Sequence, residues 1–400
     1  MHLIVRFLLA GRTPNVSLGW PFRHSPPGSN AMYLIVLIVV FGTAARLLAA
    51  SAGHNYDMES YWIVAGHADA GDNVYASTHR YNYAPAWFMV LDVVKDVADR
   101  FSDPFLAFRY LIALLLTAVD IAIASMLLRR FGPLAAGVFF ANPVSILITG
   151  YHSQFDNLAI ALGLGGALVL ERAERNSEHD NKLWTVGVVV LGMALIVKHV
   201  LIAFPLWLAF RQRSASRAIA VLVIPIAMFA ASFVPYLGEG ADGIASNVIG
   251  YRSFENAPFF NWIVPPLLQR YLSPIVLFGA ALILLGWLWR RHQPVDRLLL
   301  YSLTVVVFAP AIANQYLAIP MAAVAAFINV GYLAYVVASA AYLVADTSGL
   351  GFQPLSELLP GLMVRRESGD LPYAFLVALL AVGLVITAIE IHQRRQARPE

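Results

Sequence analysis

Long apolar segments, separated by short polar breaks, follow one another along the chain from Tyr33 to Ile391. In a lipid bilayer the backbone polar groups must be satisfied within each segment, so segments of this kind form transmembrane helices. Hydrophobic residues make up 59% of the 400 residues and charged residues 13%, about half the charged fraction of an ordinary globular chain. The sequence therefore predicts an all-α polytopic membrane protein.

The polar breaks divide the apolar sequence into about twelve transmembrane or re-entrant helices. The predicted spans are 32-52, 105-128, 132-150, 157-171, 184-197, 200-210, 218-237, 273-289, 298-313, 317-329, 331-345 and 372-391. Several are shorter than the roughly 17 residues of an upright crossing, which favours broken or re-entrant helices. We predict one transmembrane domain at 32-391, a cytosolic lead-in at 1-31 and a cytosolic tail at 392-400.

The lysines and arginines predict the orientation of these helices, because cytoplasmic loops carry an excess of positive charge. With the N-terminus inside, most of the 27 basic residues lie in the cytosol. Three large loops then lie outside, at 53-104, 238-272 and 346-371. Within the first of them, the mixture of apolar and charged residues at 85-100 predicts an interfacial helix.

Two further features of the composition exclude whole classes of function. The chain has no cysteine, so disulfides, thiolate metal sites and thiol nucleophiles are excluded. The net charge of +3 and pI near 9.0 do not predict binding of nucleic acid, because the basic residues lie in short loops where they set topology. The ten histidines show no metal-ligand spacing, and no divalent metal or other cofactor is expected.

Asp57 and Glu59 stand shortly after the first predicted span, at the start of the first external loop. Such a pair suits a general base and a helper, because an acceptor hydroxyl loses its proton as it attacks. Acidic residues at a helix N-terminus, where the macrodipole favours them, are the alternative interpretation. Farther along this loop, Tyr81 and Tyr83 belong either to an aromatic belt or to a surface that contacts a sugar or lipid.

His152, Gln154 and Asp156 form a polar cluster between two predicted spans that nearly touch. The connection is too short for a soluble loop, so these side chains lie at or just inside the outer interface, where polar groups need partners. The cluster is either part of a site or a helix-capping turn.

Lys198 and His199 fall between two short apolar segments, and a cation at that depth is a functional hypothesis. An anionic phosphate at the membrane boundary is its natural partner, and a lysine that snorkels to the surface is the alternative. Arg252 adds an external cation, and Gln315 with Tyr316 adds a further polar break between spans.

Taken together, these features resemble the GT-C superfamily of membrane glycosyltransferases that use polyprenyl-phosphate sugars. The resemblance is nearest to the GPI mannosyltransferase I type and the bacterial lipoglycan mannosyltransferases. The matching pieces, in the family's order, are Asp57 after the first span, Asn73-Val-Tyr, Arg80-Tyr-Asn-Tyr-Ala-Pro, Asn142-Pro143 before the polar tip at 152-157, Lys198 with Pro205, and Gln315-Tyr316.

The resemblance implies an inverting transferase that moves a sugar from a polyprenyl-phosphate donor to a glycolipid or lipid-linked glycan acceptor. Mannose is preferred over arabinose and glucose. The expected location is the plasma (inner) membrane of a bacterium, among membrane lipids, with the site on the non-cytoplasmic face. The implied roles are Asp57 as base, Glu59 as a residue that orients Asp57 or the acceptor, and Lys198 and His199, with Arg252 or His152, as phosphate-binding residues.

Two other classes remain as alternatives. A secondary transporter fits about twelve spans and a mid-membrane lysine, but transporters usually have paired halves and short external loops. A lipid-linked glycan ligase or polymerase also works outside, but is expected to use arginines in a large late loop.

Overall fold

The computed structural model describes residues 29–176, 181–251, 257–346, 350–351 and 371–396, and within these ranges all regular structure is helical. The α-helices are α1 (Ser29–Ala52), α2 (Tyr56–Asp69), α3 (Val74–Ser77), α4 (Ala86–Ala98), α5 (Pro104–Phe131), α6 (Pro133–Phe140), α7 (Pro143–Gly150), α8 (Asp156–Asn176), α9 (Asn181–Val197), α10 (Phe204–Ala209), α11 (Ala215–Ala231), α12 (Leu237–Gly243), α13 (Pro258–Trp262), α14 (Pro266–Gln269), α15 (Pro274–Leu288), α16 (Pro294–Val307), α17 (Met321–Ala326), α18 (Val330–Ala345) and α19 (Leu371–Gln396). The prediction of an all-α fold is confirmed.

Four helical stretches are long and apolar enough to cross a membrane in the part of the chain described. They are Tyr33–Ala52, Pro104–Phe131, Ala215–Ile249 and Leu371–Ile391. The pair α6 and α7, bent by 47°, makes a fifth if it is one span. Shorter apolar helices include α9, α15 and α18. The chain is thus a helical membrane protein, and the larger number of about twelve crossings stays a prediction.

Prolines set several of the helix starts. Pro104, Pro133 and Pro143 each occupy the first turn of a helix, where the missing N–H removes no hydrogen bond and the fixed φ suits the helix. Asn142 caps α7 by accepting a hydrogen bond from the backbone N–H of Val144. The break between α6 and α7 therefore follows from the sequence Ala141-Asn142-Pro143.

The helices bring the predicted outer residues together at one end of the bundle. Arg109, near the start of α5, donates to the carbonyls of Ala50 and Gly53 at the end of α1. Basic residues form ion pairs at the opposite end: Arg130 lies 3.8 Å from Glu171 and 3.5 Å from Asp296. The orientation of the bundle in the membrane, which rests on the distribution of lysine and arginine, stays a prediction.

The loop at 53-104, which the sequence predicts to be external, folds into α2, α3 and α4. These helices pack on a second apolar core that contains Met58, Trp87 and Phe155. Helix α4 lies where the sequence predicts an interfacial helix. Its exposed side carries Met89 and Val93, one helical turn apart, in the pattern of a helix that lies along a membrane surface.

The predicted span 218-237 does not end at 237 in the structure. The chain stays helical from Ala215 to Ile249, and the added turns pack against the first external loop. The side-chain amide of Asn73 donates to the carbonyl of Tyr236 at 3.1 Å. A Cβ at Gly243 would collide with the carbonyl oxygen of Tyr75, so glycine is needed for this close approach.

Candidate functional site

Asp57 lies in the first turn of α2, and its carboxylate is held through a single oxygen. The side-chain amide of Gln154 donates to Oδ2 at 2.6 Å, and that of Asn55 donates to the same oxygen at 3.1 Å. Asn55 is also the N-cap of α2, since its Oδ1 accepts from the N–H of Met58. None of the described residues donates to Oδ1, which is therefore the oxygen left for a substrate proton.

The surroundings of Asp57 make its carboxylate a better base than an exposed aspartate. Burial raises the pKa of Asp57 above its ordinary value, while the ammonium of Lys198 and the amides of Asn55 and Gln154 oppose the shift only in part. A base is most effective when its pKa approaches the working pH. The shift is therefore in the direction that general-base catalysis needs.

The loop between α7 and α8 supplies Gln154 and is buried throughout. Ser153 has a φ of 51°, in the left-handed region that residues other than glycine seldom adopt. The amide of Gln154 also contacts the carbonyl of His152 at 3.3 Å, and the hydroxyl of Tyr61 reaches the Gln154 oxygen at 3.5 Å. A non-glycine residue in this region has a strained backbone, and strained residues of this kind cluster at functional sites.

His152 is buried in this loop, and its Nδ1 lies 3.3 Å from the side-chain nitrogen of Asn55. Because an amide nitrogen only donates, Nδ1 is the acceptor and the ring proton is assigned to Nε2. Burial lowers the pKa of His152 to about 4. At neutral pH the ring therefore carries no charge, and in a phosphate site it can act only as an N–H donor, not as the predicted cation.

Lys198 and Asp156, predicted separately, form a buried ion pair in the structure. The Lys198 Nζ lies 2.7 Å from the Asp156 Oδ2, and both side chains are almost inaccessible. The ammonium also lies 4.9 Å from the ring centroid of Tyr83 and 4.6 Å from that of Phe155. The second oxygen of Asp156 is buried without a hydrogen-bond partner among the described residues, so the pair can still accept a donor group.

The remaining predicted residues differ in their relation to this cluster. Tyr83 and Tyr316 border it: burial raises their pKa values, and the charge of Asp156 adds to both shifts. Gln315 precedes Tyr316 in the same half-buried turn. His199 follows Lys198, with its ring against Phe229 and its Nδ1 buried without a hydrogen-bond partner among the residues described.

Two predicted residues are not brought to Asp57, and a third lies outside the part of the chain that the structure describes. Glu59 is exposed, and its carboxylate lies 3.6 Å from the imidazole of His54. Residues two apart on a helix face different sides, so Glu59 and Asp57 point in different directions. Tyr81 is buried in the loop core, where its hydroxyl donates to the carbonyl of Ala84 and accepts from the N–H of Phe88. Arg252 lies outside the described residues.

Three further residues hold the cluster or the loop that carries it, and none of them was predicted from the sequence. Tyr61 lies one turn after Asp57 on the same face of α2, a spacing that the sequence could have revealed. Asn55 directly precedes α2, and asparagine is a preferred N-cap residue, so the sequence could have revealed its capping role. Asp120, a lone acid within the predicted span 105-128, is an intramembrane charge of the kind that marks a functional or structural site.

Among the residues that the structure describes, one group of carboxylates lies close enough to hold a metal ion. Oxygens of Asp69, Asp92 and Asp96 lie within 4.8 Å of one another on the surface of the external loop. The ammonium of Lys95 lies 3.5 Å from Asp69 and partly neutralises the group. This surface group does not include Asp57.

No family model, curated protein or solved structure matches the chain.

Proposed function

We propose that the chain is an inverting glycosyltransferase of the GT-C type that transfers a sugar, mannose by preference, from a polyprenyl-phosphate donor to a glycolipid or lipid-linked glycan. The observation that carries the proposal is the carboxylate of Asp57, held by Gln154 and Asn55 through one oxygen, in one polar cluster with the ammonium of Lys198. The cluster lies where apolar helices end, which suits substrates anchored in lipid.

Asp57 is the general base in this proposal. The acceptor hydroxyl binds at Oδ1 and its oxygen attacks the anomeric carbon from the face opposite the phosphate. The bond from the anomeric carbon to the phosphate oxygen breaks, its electrons leave with the polyprenyl phosphate, and the hydroxyl proton passes to Asp57. One displacement of this kind inverts the anomeric carbon.

Lys198 is the cation for the leaving group. The phosphate gains negative charge as the bond breaks, so a fixed ammonium stabilises the transition state more than the bound donor. The ammonium is bound to Asp156 and flanked by Tyr83 and Phe155. The donor phosphate therefore shares Lys198 with Asp156 or takes the place of its carboxylate.

The proposal places about twelve crossings in a bacterial plasma membrane, with the cluster on the non-cytoplasmic face. The ion pairs of Arg130 and Arg211 at the other end of the bundle support this orientation. Nucleotide sugars are cytosolic, so a site on the outer face requires a donor that a lipid has carried across. No metal or other cofactor is part of the proposed reaction.

Membranes containing the chain, incubated with radiolabelled polyprenyl-phosphate mannose, arabinose or glucose one at a time, test this function. We expect transfer from one donor, with a product lipid larger by one sugar on mass analysis. Asp57→Asn should abolish transfer while the protein still inserts, and Asp242→Asn, an exposed acid on α12, serves as the matched control.

Full activity of Asp57→Asn would refute the mechanism. Uptake of a polar solute without transfer would favour a transporter, and products with many added sugars would favour a ligase or polymerase.

A further inference from the structure

Asp120, in the middle of α5, is fully buried and both of its carboxylate oxygens are occupied. Oδ2 accepts a hydrogen bond from the hydroxyl of Thr149 at 2.8 Å, and Oδ1 accepts one from the side-chain amide of Asn157 at 2.7 Å. Thr149 belongs to the last turn of α7 and Asn157 to the first turn of α8. One carboxylate thus holds both ends of the connection that carries His152, Gln154 and Asp156.

Arg46 neutralises this carboxylate and connects it to helices α1 and α6. Its Nε donates to Asp120 Oδ2 at 3.0 Å, and its Nη2 lies 2.9 Å from the same oxygen in an ion-pair contact. Its Nη1 donates to the carbonyls of Gly42 in α1 and Phe140 in α6, each at 3.0 Å. Since α1 leads directly to Asp57, the network joins the two segments whose side chains meet in the Asp57–Gln154 bond.

The backbones are also in direct contact at this level. A Cβ on Gly150 would collide with the carbonyl oxygen of Arg46, so the end of α7 lies directly against α1. An unpaired charge at such a buried position would be strongly unfavourable, which explains why every oxygen of Asp120 has a donor. Asp120 is therefore not available to bind substrate itself.

We propose that Asp120 is the positioning residue of the site: it fixes the loop from Gly150 to Asp156 so that Gln154 reaches Asp57. That this loop is catalytic rests on the proposed function, whereas the fixing of the loop by Asp120 does not. Asp120 acts through Thr149 and Asn157, and does not touch the reacting atoms.

The absence of cysteine allows a direct measurement of loop position. Ser153→Cys places a single thiol in the buried loop, and its rate of alkylation by a maleimide in membranes reports whether the loop stays closed. Adding Thr149→Val with Asn157→Ala removes the two loop contacts but leaves the Arg46–Asp120 pair. We expect at least a tenfold faster alkylation in that variant and in Asp120→Asn.

Asp296→Asn is the matched control, because Asp296 is also a buried acid that pairs with an arginine. Its partner, Arg130, is in α5 like Asp120, but the pair lies at the other end of the bundle. It removes one of the two carboxylates that face the buried Arg130, whereas Glu171 remains 3.8 Å away. It should not change the alkylation rate of the introduced thiol. Equal acceleration by Asp296→Asn would show that Asp120 contributes only general stability. An unchanged rate in the Thr149→Val, Asn157→Ala variant would equally overturn the proposal.

The pH profile provides a second readout if sugar transfer is found. Loosening the loop should weaken the Gln154–Asp57 bond, so the acid limb of kcat/KM should move to higher pH in the loop variant and stay in place in Asp296→Asn. If no transfer is found with any donor, the alkylation result still decides the positioning role, so failure of the proposed function is separable from failure of this inference.

Discussion

Gln154 donates a hydrogen bond of 2.6 Å to Oδ2 of Asp57, although the two residues are 97 positions apart in the chain. The bond joins the first external loop to the connection between α7 and α8. It stabilises the charged form of Asp57 and leaves Oδ1 without a donor from the described residues. This contact therefore helps to orient the carboxylate, and it opposes in part the rise in the pKa of Asp57 that burial causes.

Gln154→Met removes the donor at nearly constant volume, and should shift the pH dependence of transfer. A hydrogen bond to a charged group contributes about 1.5–3 kcal/mol, and Asn55 compensates for its loss in part, so we expect the pKa of Asp57 to rise further above its ordinary value. The base acts only when deprotonated. Activity is lost as pH falls through this pKa, so the acid limb of kcat/KM moves upward.

Tyr61→Phe is the companion variant for this measurement. The Tyr61 hydroxyl lies 3.5 Å from the Gln154 oxygen, a long contact, so its removal should shift the acid limb much less. Identical pH profiles for Gln154→Met and the parent would show that the amide does not tune the base.

Lys198→Met should weaken use of the donor more than use of the acceptor. The single variant also leaves Asp156 buried without its cation, which costs about 3–5 kcal/mol of stability. The double variant Lys198→Met, Asp156→Leu removes both charges and should recover stability. Thermal unfolding in detergent measures that recovery, and kinetics with each substrate varied in turn measure the KM values.

The double variant separates binding from folding. If Lys198 holds the phosphate, the KM for the donor stays raised after stability returns. Recovery of donor KM together with stability would instead assign the ion pair a purely structural role.

Some of the predicted spans coincide with helices, because apolar length is a local property of the sequence. The predicted span 105-128 lies within α5, and 132-150 matches the bent pair α6 and α7. Helical turns continue beyond the predicted end of the span 218-237. These turns pack against Asn73 and Tyr75, contacts that no local sequence pattern predicts.

The sequence predicted part of the membership of the candidate site, but not which residues pair with each other. Polar residues at the ends of apolar segments identified Asp57, Gln154, Asp156 and Lys198, because such groups are costly there without partners. That Lys198 pairs with Asp156, and Gln154 with Asp57, depends on how α2, α8 and α9 pack. Glu59 was grouped with Asp57 by proximity in sequence, although helix geometry separates them.

The contact between α12 and the first external loop predicts a difference between two glycines in that helix. A Cβ at Gly243 would collide with the carbonyl of Tyr75, whereas a Cβ at Gly238 meets nothing within 4 Å. Gly243→Ala should therefore lower stability by about 1–3 kcal/mol through overpacking. Gly238→Ala should be neutral or stabilise by up to about 1 kcal/mol, because alanine favours the helix.

Thermal unfolding and limited proteolysis of the external loop in detergent measure this difference. We expect Gly243→Ala to expose the loop that carries Asp57 to cleavage at a lower temperature than in the parent, and Gly238→Ala to leave it protected. Equal protection in both variants would mean that the helical extension does not hold the loop. Because α3 and α12 contact each other directly, Gly243→Ala should also reduce sugar transfer. Transfer should be lost over the same range of temperature in which the loop becomes sensitive to the protease.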